Sequence, residues 1–388
     1  MRKSANGRRN MPQNGLVYRS KLTWLEGCMT MFGVIDGPHL GFFKYQGRYF
    51  IMKGFKLFAA AAAATVVAST ASAGTLDDVR ARGELKCGVT TGLIGFAFQN
   101  DAGRWEGFDA EMCRAVAAAV FGDGDKVAFV PTTSKERFTV LQSGEIDVLA
   151  RNTTWTASRD NNLGLDFVGV NYYDGQGFMV PKSLGVDSAL GLDGATVCVQ
   201  AGTTTELNLA DYFASNGMSY EPVIFETSDE IRKAYEAGRC DIYTTDASGL
   251  AAQRAAFADP SAHVVLPEII SKEPLGPLVR HGDNQWGDIV RWTLNAMITA
   301  EEFGITAANA GDQADNKNKE VHRLLGTEGD MGAQLGLEAD AFANVIKTVG
   351  NYGESFDRNI GPDTAIGMSR GLNALWTQGG ILYSPPFR

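Results

Sequence analysis

Two stretches of this chain follow the same plan 94 residues apart, and nothing else in its 388 residues limits the fold as strongly. Residues 133–154 and 227–248 each open on Thr-Ser-x-Glu (Thr133/Glu136 and Thr227/Glu230). That pattern is a capping box, in which hydroxyl and carboxylate satisfy the first free N–H groups of a helix. Each helix then stops at a glycine, Gly144 or Gly238, the residue that tolerates a left-handed C-terminal turn. Short apolar strands follow, led by Asp147 and Asp241, and each is expected to end in a polar loop, at 151–154 and 245–248. Matched caps, stops and strands describe a duplicated supersecondary unit.

Residues 85–90 and 196–200 also read as strands, each followed by a loop and a helix (110–120 and 204–213). Alternating strands and helices predict α/β architecture: two lobes of similar plan, each with a largely parallel sheet. In such sheets ligands sit beyond the carboxyl ends of the strands, so both polar loops would line one cleft between the lobes. Cys87 and Cys113 fall in the first lobe, Cys198 and Cys240 in the second. Pairing 87–113 and 198–240 keeps each bridge within a lobe, whereas either other connectivity would staple the lobes together. Each closed loop would contribute about 3–4 kcal/mol in the chain-entropy account.

The N-terminus has a different composition. Residues 1–73 hold 10 basic and 2 acidic side chains, while the remaining 315 hold 25 basic and 43 acidic, a charge of −18. From Met52, two lysines (Lys53, Lys56) precede an apolar run at 57–68 that ends in Ala71-Ser72-Ala73. This is the pattern of a secretory signal peptide, too short to span a bilayer. The expectation is a signal peptide at 52–73, an upstream mistranslated segment at 1–51, and export to an oxidising compartment where disulfides persist. The acidic balance speaks against nucleic acid as a partner. The four histidines are scattered and no Cys or His pair has metal-ligand spacing, so neither metal nor other cofactor is expected.

Four motifs carry the chemistry. They are Gly107-Phe108-Asp109-Ala110-Glu111-Met112; the run from Asn152 through Thr153, Thr154, Trp155, Thr156, Ala157 and Ser158 to Arg159; Gly202-Thr203-Thr204-Thr205-Glu206; and Gly238 to Asp246. Over residues 75–305 the chain resembles the periplasmic amino-acid-binding proteins of ABC transporters, with their two-lobed type II fold. Its closest likeness is to the general L-amino-acid and Glu/Gln/Asp/Asn-binding subgroup, whose members also carry a long C-terminal extension. Ala110 stands where the family has a larger apolar residue.

An amino acid brings an α-carboxylate and an α-ammonium, so its site needs a fixed cation and a fixed anion. Arg159 offers a planar fork for a carboxylate. Thr203 and Thr204 lie at a helix N-terminus, where free N–H groups favour the same charge. Asp246, with Thr154 or Asn152 nearby, would take the ammonium. The resemblance implies these roles. Taken singly, Arg159 could be a surface partner of Asp160, Asp246 a cap, and Gly-Thr-Thr only a helix start. Trp155 could equally pack or wall the ligand.

Arg137 matches the position that holds the ligand's side-chain carboxylate in glutamate/aspartate-binding relatives, with Ser134 on the same helix face. Thr90 and Ser228 replace two basic partners of those relatives, which points to acidic amino acids and their amides, or a broader range. The expected organisation is lobe 1 at 74–178 plus 273–305, lobe 2 at 179–272 and an extension at 306–388, with crossing strands near 174–177 and 271–273. The function implied is that of a monomeric, soluble periplasmic receptor delivering an L-amino acid to an inner-membrane permease and ATPase complex. The alternative is an enzyme on the same fold, a periplasmic dehydratase or a lytic transglycosylase. That role would need a tuned acid or base that no ligand charge explains.

Overall fold

The structure, a computed structural model, describes residues 74–388. The expected signal peptide and upstream segment lie outside the described residues.

The chain runs from α1 (Thr75–Arg82) through β1 (Leu85–Thr90), a hairpin of β2 (Phe98–Gln99) and β3 (Trp105–Glu106), and α2 (Phe108–Phe121). It continues through β4 (Val127–Thr132), α3 (Arg137–Gln142), β5 (Val148–Leu149), α4 (Ala157–Asn162) and β6 (Leu165–Phe167), then leaves the first lobe along β7 (Tyr172–Asp174). The second lobe holds β8 (Gln176–Pro181), β9 (Ala195–Gln200), α5 (Thr204–Ser215), β10 (Tyr220–Phe225), α6 (Ser228–Glu236), β11 (Ile242–Asp246), α7 (Ala247–Ala255) and β12 (His263–Val265). The return is by β13 (Glu273–Leu275) into β14 (Leu278–Arg280) and the long α8 (Asn284–Glu302). The extension adds α9 (Lys319–Leu324), α10 (Met331–Gln334), α11 (Ala341–Val349) and α12 (Tyr352–Asn359).

The duplication read in the sequence is visible in the sheets. Lobe 1 has the order β4-β1-β5-β14-β6 and lobe 2 the order β10-β9-β11-β8-β12. In each, three strands are parallel (β4-β1-β5 and β10-β9-β11) and a strand that has crossed from the other lobe adds antiparallel beside them (β14 and β8). The aspartates that lead the repeat strands do the same work in both. Asp147 Oδ2 accepts from Lys86 N at 2.8 Å, and Asp241 Oδ2 accepts from Thr196 N at 2.9 Å. Each carboxylate thus satisfies a backbone donor at the start of the middle strand of the lobe's parallel three, β1 or β9. Cys87–Cys113 and Cys198–Cys240 are joined, each within one lobe.

Two local expectations need correction. Thr133 and Glu136 make the bonds of a capping box, but regular helix starts only at Arg137, so Ser134 sits in the preceding turn and does not share a helix face with Arg137. Residues 245–248 are not a loop: β11 runs straight into α7, with Asp246 at the junction.

β7 and β13 pair antiparallel as the two crossing strands, Glu273 opposite Asp174. The extension is part of lobe 1's core. Phe342, Val345 and Ile346 of α11 bury in the same cluster as Ala115, Ala118 and Ala119 of α2, whose short side chains allow close helix approach. The C-terminal Phe387 is fully buried, edge-on to Trp292 and Phe342.

Candidate functional site between the lobes

The lobe 1 face is the segment after β5. Its shape is set by Asp109, in the first turn of α2. Asp109 Oδ2 accepts from Asn152 N at 2.8 Å, and Oδ1 accepts from Asn171 Nδ2 at 3.2 Å. This holds Asn152 at φ 26°, the only positive φ of a non-glycine residue among the described residues. Gly107 makes the geometry possible: its φ is 119°, and a Cβ there would lie 2.3 Å from the Phe96 carbonyl oxygen. The Gly-Phe-Asp motif is thus the scaffold of the binding segment. Burial pushes the Asp109 carboxyl up to about 6, against the pull of its hydrogen bonds and of Arg151.

Three arginines gather here. Arg151, which the sequence reading left out of the site, is buried, donates to Thr132 O at 3.0 Å and to Ser134 Oγ at 3.1 Å, and has its pKa lowered to about 10 by desolvation. Arg137 is also buried; its Nη1 donates to Thr153 Oγ1 at 3.2 Å, while its Nε has no partner. Arg159, on α4, donates to Thr154 O at 3.0 Å. The guanidinium carbons of Arg137 and Arg159 lie 4.8 and 5.2 Å from the centre of one ring, Phe138. Burial lowers the pKa of both groups, so each cation is held at a cost that a buried anion would offset.

The lobe 2 face is the N-terminus of α5 and the end of β11. Thr203 is the N-cap, accepting from Glu206 N and donating to Gln200 O, so its hydroxyl is used locally. Thr204 Oγ1 comes within 3.3 Å of Thr154 Oγ1 across the cleft. Asp246 is buried, yet its side chain caps no N–H of α7. Desolvation raises its pKa, the neighbouring Asp174 and Glu273 raise it further, and Arg137 and Arg159 pull the other way.

A second residue that sequence reasoning missed is Glu273, the first of β13. It is buried and accepts from Thr154 Oγ1 at 2.5 Å and Thr204 Oγ1 at 2.9 Å on one oxygen, and from Asn208 Nδ2 at 2.7 Å and Ser271 Oγ at 2.6 Å on the other. Its signal was an acid on a crossing strand, where a side chain can reach both lobes.

Thr90 and Ser228 both line a small cavity, with Asn152, Arg151, Thr245 and Gln253; its volume of about 20 Å³ holds little more than one water molecule. Gln253 also lines a larger cavity of about 520 Å³ at the mouth, between Thr91, Gln99 and Trp105 of lobe 1 and Arg232 of lobe 2. Trp155 stacks on Phe167 of lobe 1, ring centres 5.4 Å apart, with its other side exposed. Arg159 makes no ion pair with Asp160; the pair that closes the rim is Lys135 with Glu226, at 2.6 Å.

Buried cations on one lobe facing a buried, uncapped aspartate on the other match the charges of a zwitterion. Residues 85–307 fit the family of bacterial extracellular solute-binding proteins, family 3. The chain belongs to that family. It is 60% identical over 338 residues to the glutamate/glutamine/aspartate/asparagine-binding protein BztA of Rhodobacter capsulatus, covering 87% of this chain and 100% of that one. It is equally similar, 60% over 338 residues, to the general L-amino acid-binding periplasmic protein AapJ of Rhizobium johnstonii, covering 86% of this chain and 99% of that one. Among solved structures, a periplasmic binding protein of Brucella ovis with glutathione bound is 58% identical, with a TM-score of 0.80 over 81% of this chain and 100% of that chain. No helix among the described residues is long and apolar enough to cross a membrane.

Proposed function

We propose that this protein is the periplasmic binding subunit of an ABC transporter, capturing L-amino acids between its lobes and presenting them to a membrane permease and its ATPase. The observation that carries the reading is the opposition of Arg159 and Arg137 to Asp246 across the cleft, in a family whose similar members are named for amino acids. Arg159 and the free N–H groups at the start of α5 take the α-carboxylate, and Asp246 takes the α-ammonium. Arg137 is the cation for a side-chain carboxylate. The neutral donors Thr90, Ser134 and Ser228 widen the range to amides. Binding needs no cofactor, and Asp246 serves as a counter-ion and not as a catalytic acid.

Closure follows from dividing the site between lobes that meet at two short crossing strands. Calorimetric titration of the purified protein with L-glutamate, L-glutamine, L-aspartate and L-asparagine tests the assignment. Binding of at least one of the four is expected; no heat with any of the four overturns it.

A second reading has its own support. The mouth cavity adjoins the inner one at Gln253, so a glutamate extended at its side-chain carboxyl has room to continue outward. The Brucella ovis relative holds glutathione. Titration with reduced glutathione, in competition with glutamate, decides whether the cleft takes such extended ligands as well.

A further inference from the structure

We propose that Glu273 is a positioning residue: it fixes the direction of the Thr154 and Thr204 hydroxyls and so makes both of them acceptors for the ammonium group of a ligand. The inference rests on the amino-acid reading above and adds to it the device that tells the two ends of the ligand apart.

Glu273 collects donors from three parts of the fold: Thr154 from lobe 1, Thr204 and Asn208 from α5 of lobe 2, and Ser271 from the crossing segment. A carboxylate offers about four lone-pair positions and no proton. With all of them taken, Glu273 accepts throughout, and each threonine that donates to it has no second proton. What Thr154 and Thr204 keep is lone pairs. Their oxygens stand 3.3 Å apart, one from each lobe, beside the Arg159 guanidinium that donates to the Thr154 carbonyl and within the field of Asp246. Two lone-pair-bearing oxygens at that spacing attract an ammonium and repel a carboxylate. Had the hydroxyl protons been free to turn, the same threonines could have donated to either end of the ligand, and the site would discriminate less. The α-carboxylate is thereby left to Arg159 and to the backbone N–H groups of α5.

Glu273→Gln replaces one acceptor oxygen by a donor NH₂; with that NH₂ turned to the oxygen position that Thr154 and Thr204 share, both hydroxyls must accept from it and their protons turn back into the cleft. The probes are L-glutamate and glutarate, which is glutamate without its amino group. In the variant, glutamate affinity should fall about ten- to hundredfold while glutarate affinity holds or improves. Thr204→Val provides the second measurement, since it deletes one hydroxyl at similar volume. Because Glu273 acts through that hydroxyl, the loss in glutamate affinity for the double variant should be smaller than the product of the two single losses. Equal losses for glutamate and glutarate, or losses that simply multiply, would make Glu273 a scaffold and overturn the proposal. The cycle needs only glutamate, so it decides even where wild-type protein holds glutarate too weakly to measure. Wild-type protein that bound none of the amino acids would overturn the amino-acid reading itself, and this proposal with it.

Discussion

Arg137 has a buried Nε without a partner, and its neighbours include two further arginines that oppose its charge. Such a cation is most useful where an anion arrives with the ligand. Arg137→Met should therefore weaken glutamate and aspartate by about tenfold or more, and glutamine and asparagine by clearly less, because an amide needs only hydrogen bonds. Titration of the four ligands on both proteins checks this, and equal losses would mean that Arg137 only shapes the lobe. Arg159→Ala should cost about 2–5 kcal/mol of binding for every amino acid, since the α-carboxylate is common to all. Unchanged affinity would place the carboxylate grip elsewhere. These residues were legible because their chemistry is local: an arginine in a motif, a threonine at a helix start. Glu273 and Arg151 were not, because what gives each its role is contact with segments distant in sequence. Glu273 meets Thr154 from 119 positions away, and Arg151 reaches back to Thr132 and Ser134. Thr203 spends its hydroxyl on capping α5, so its expected part in the site rests on the backbone at the helix start.

Elements were readable where a turn or cap fixes them. The second repeat helix carries a complete capping box at Thr227 and Glu230, and the glycine stops Gly144 and Gly238 both adopt positive φ. Reading failed at Asp246, where strand passes to helix without the loop that polar residues suggested. The crossing strand β7 depends on an element that no pattern connected with it. Tyr173 faces Pro274 across the pair, and its N–H and C=O instead meet the Asn373 side chain of the extension, at 2.7 and 3.0 Å. Tyr352 of α12 donates to Asn171 O at 2.8 Å, one step earlier on the same strand approach. The extension thus braces the hinge from the lobe 1 side, with the Asn373 amide standing in for one rung of a third strand. Asn373→Ala strips partners from two part-buried backbone groups and should lower stability by about 1–3 kcal/mol. Chemical denaturation checks the value; a change below a few tenths of a kcal/mol would show that water replaces the amide without loss.

At the scale of the molecule, buried carboxyls around the lobe junction set how stability responds to pH, Asp246 among them, its pKa raised chiefly by desolvation. Asp109, under the binding segment, and Asp174, at the end of β7, are both raised to about 6, chiefly by desolvation. In the unfolded chain an aspartate titrates near 3.9. Between those limits the folded protein holds more protons than the unfolded one, so these groups make stability fall as pH rises, and acidification from 7 to 5 strengthens the fold. The carboxyls held low by hydrogen bonds, such as Asp241 and Asp283, act in the opposite sense only below about pH 4, where they begin to protonate. His263, whose pKa is lowered by partial burial, also opposes the trend, but it is one half-buried ring against three buried carboxyls, Asp109, Asp174 and Asp246. The charge of −18 on residues 74–388 adds self-repulsion that eases in the same direction, so the trend alone does not isolate the buried acids. The variant does. Asp109→Asn keeps an acceptor for Asn152 N but has nothing to titrate, and the repulsion term hardly changes. Ligand-free wild-type protein should melt higher at pH 5 than at pH 7. Asp109→Asn should show a smaller rise, the difference amounting to about 1 kcal/mol over the interval. Parallel melting profiles for the two proteins would mean that Asp109 stays ionised when buried, held by Arg151 and its two hydrogen bonds, and that the trend belongs to the other buried acids and to surface repulsion.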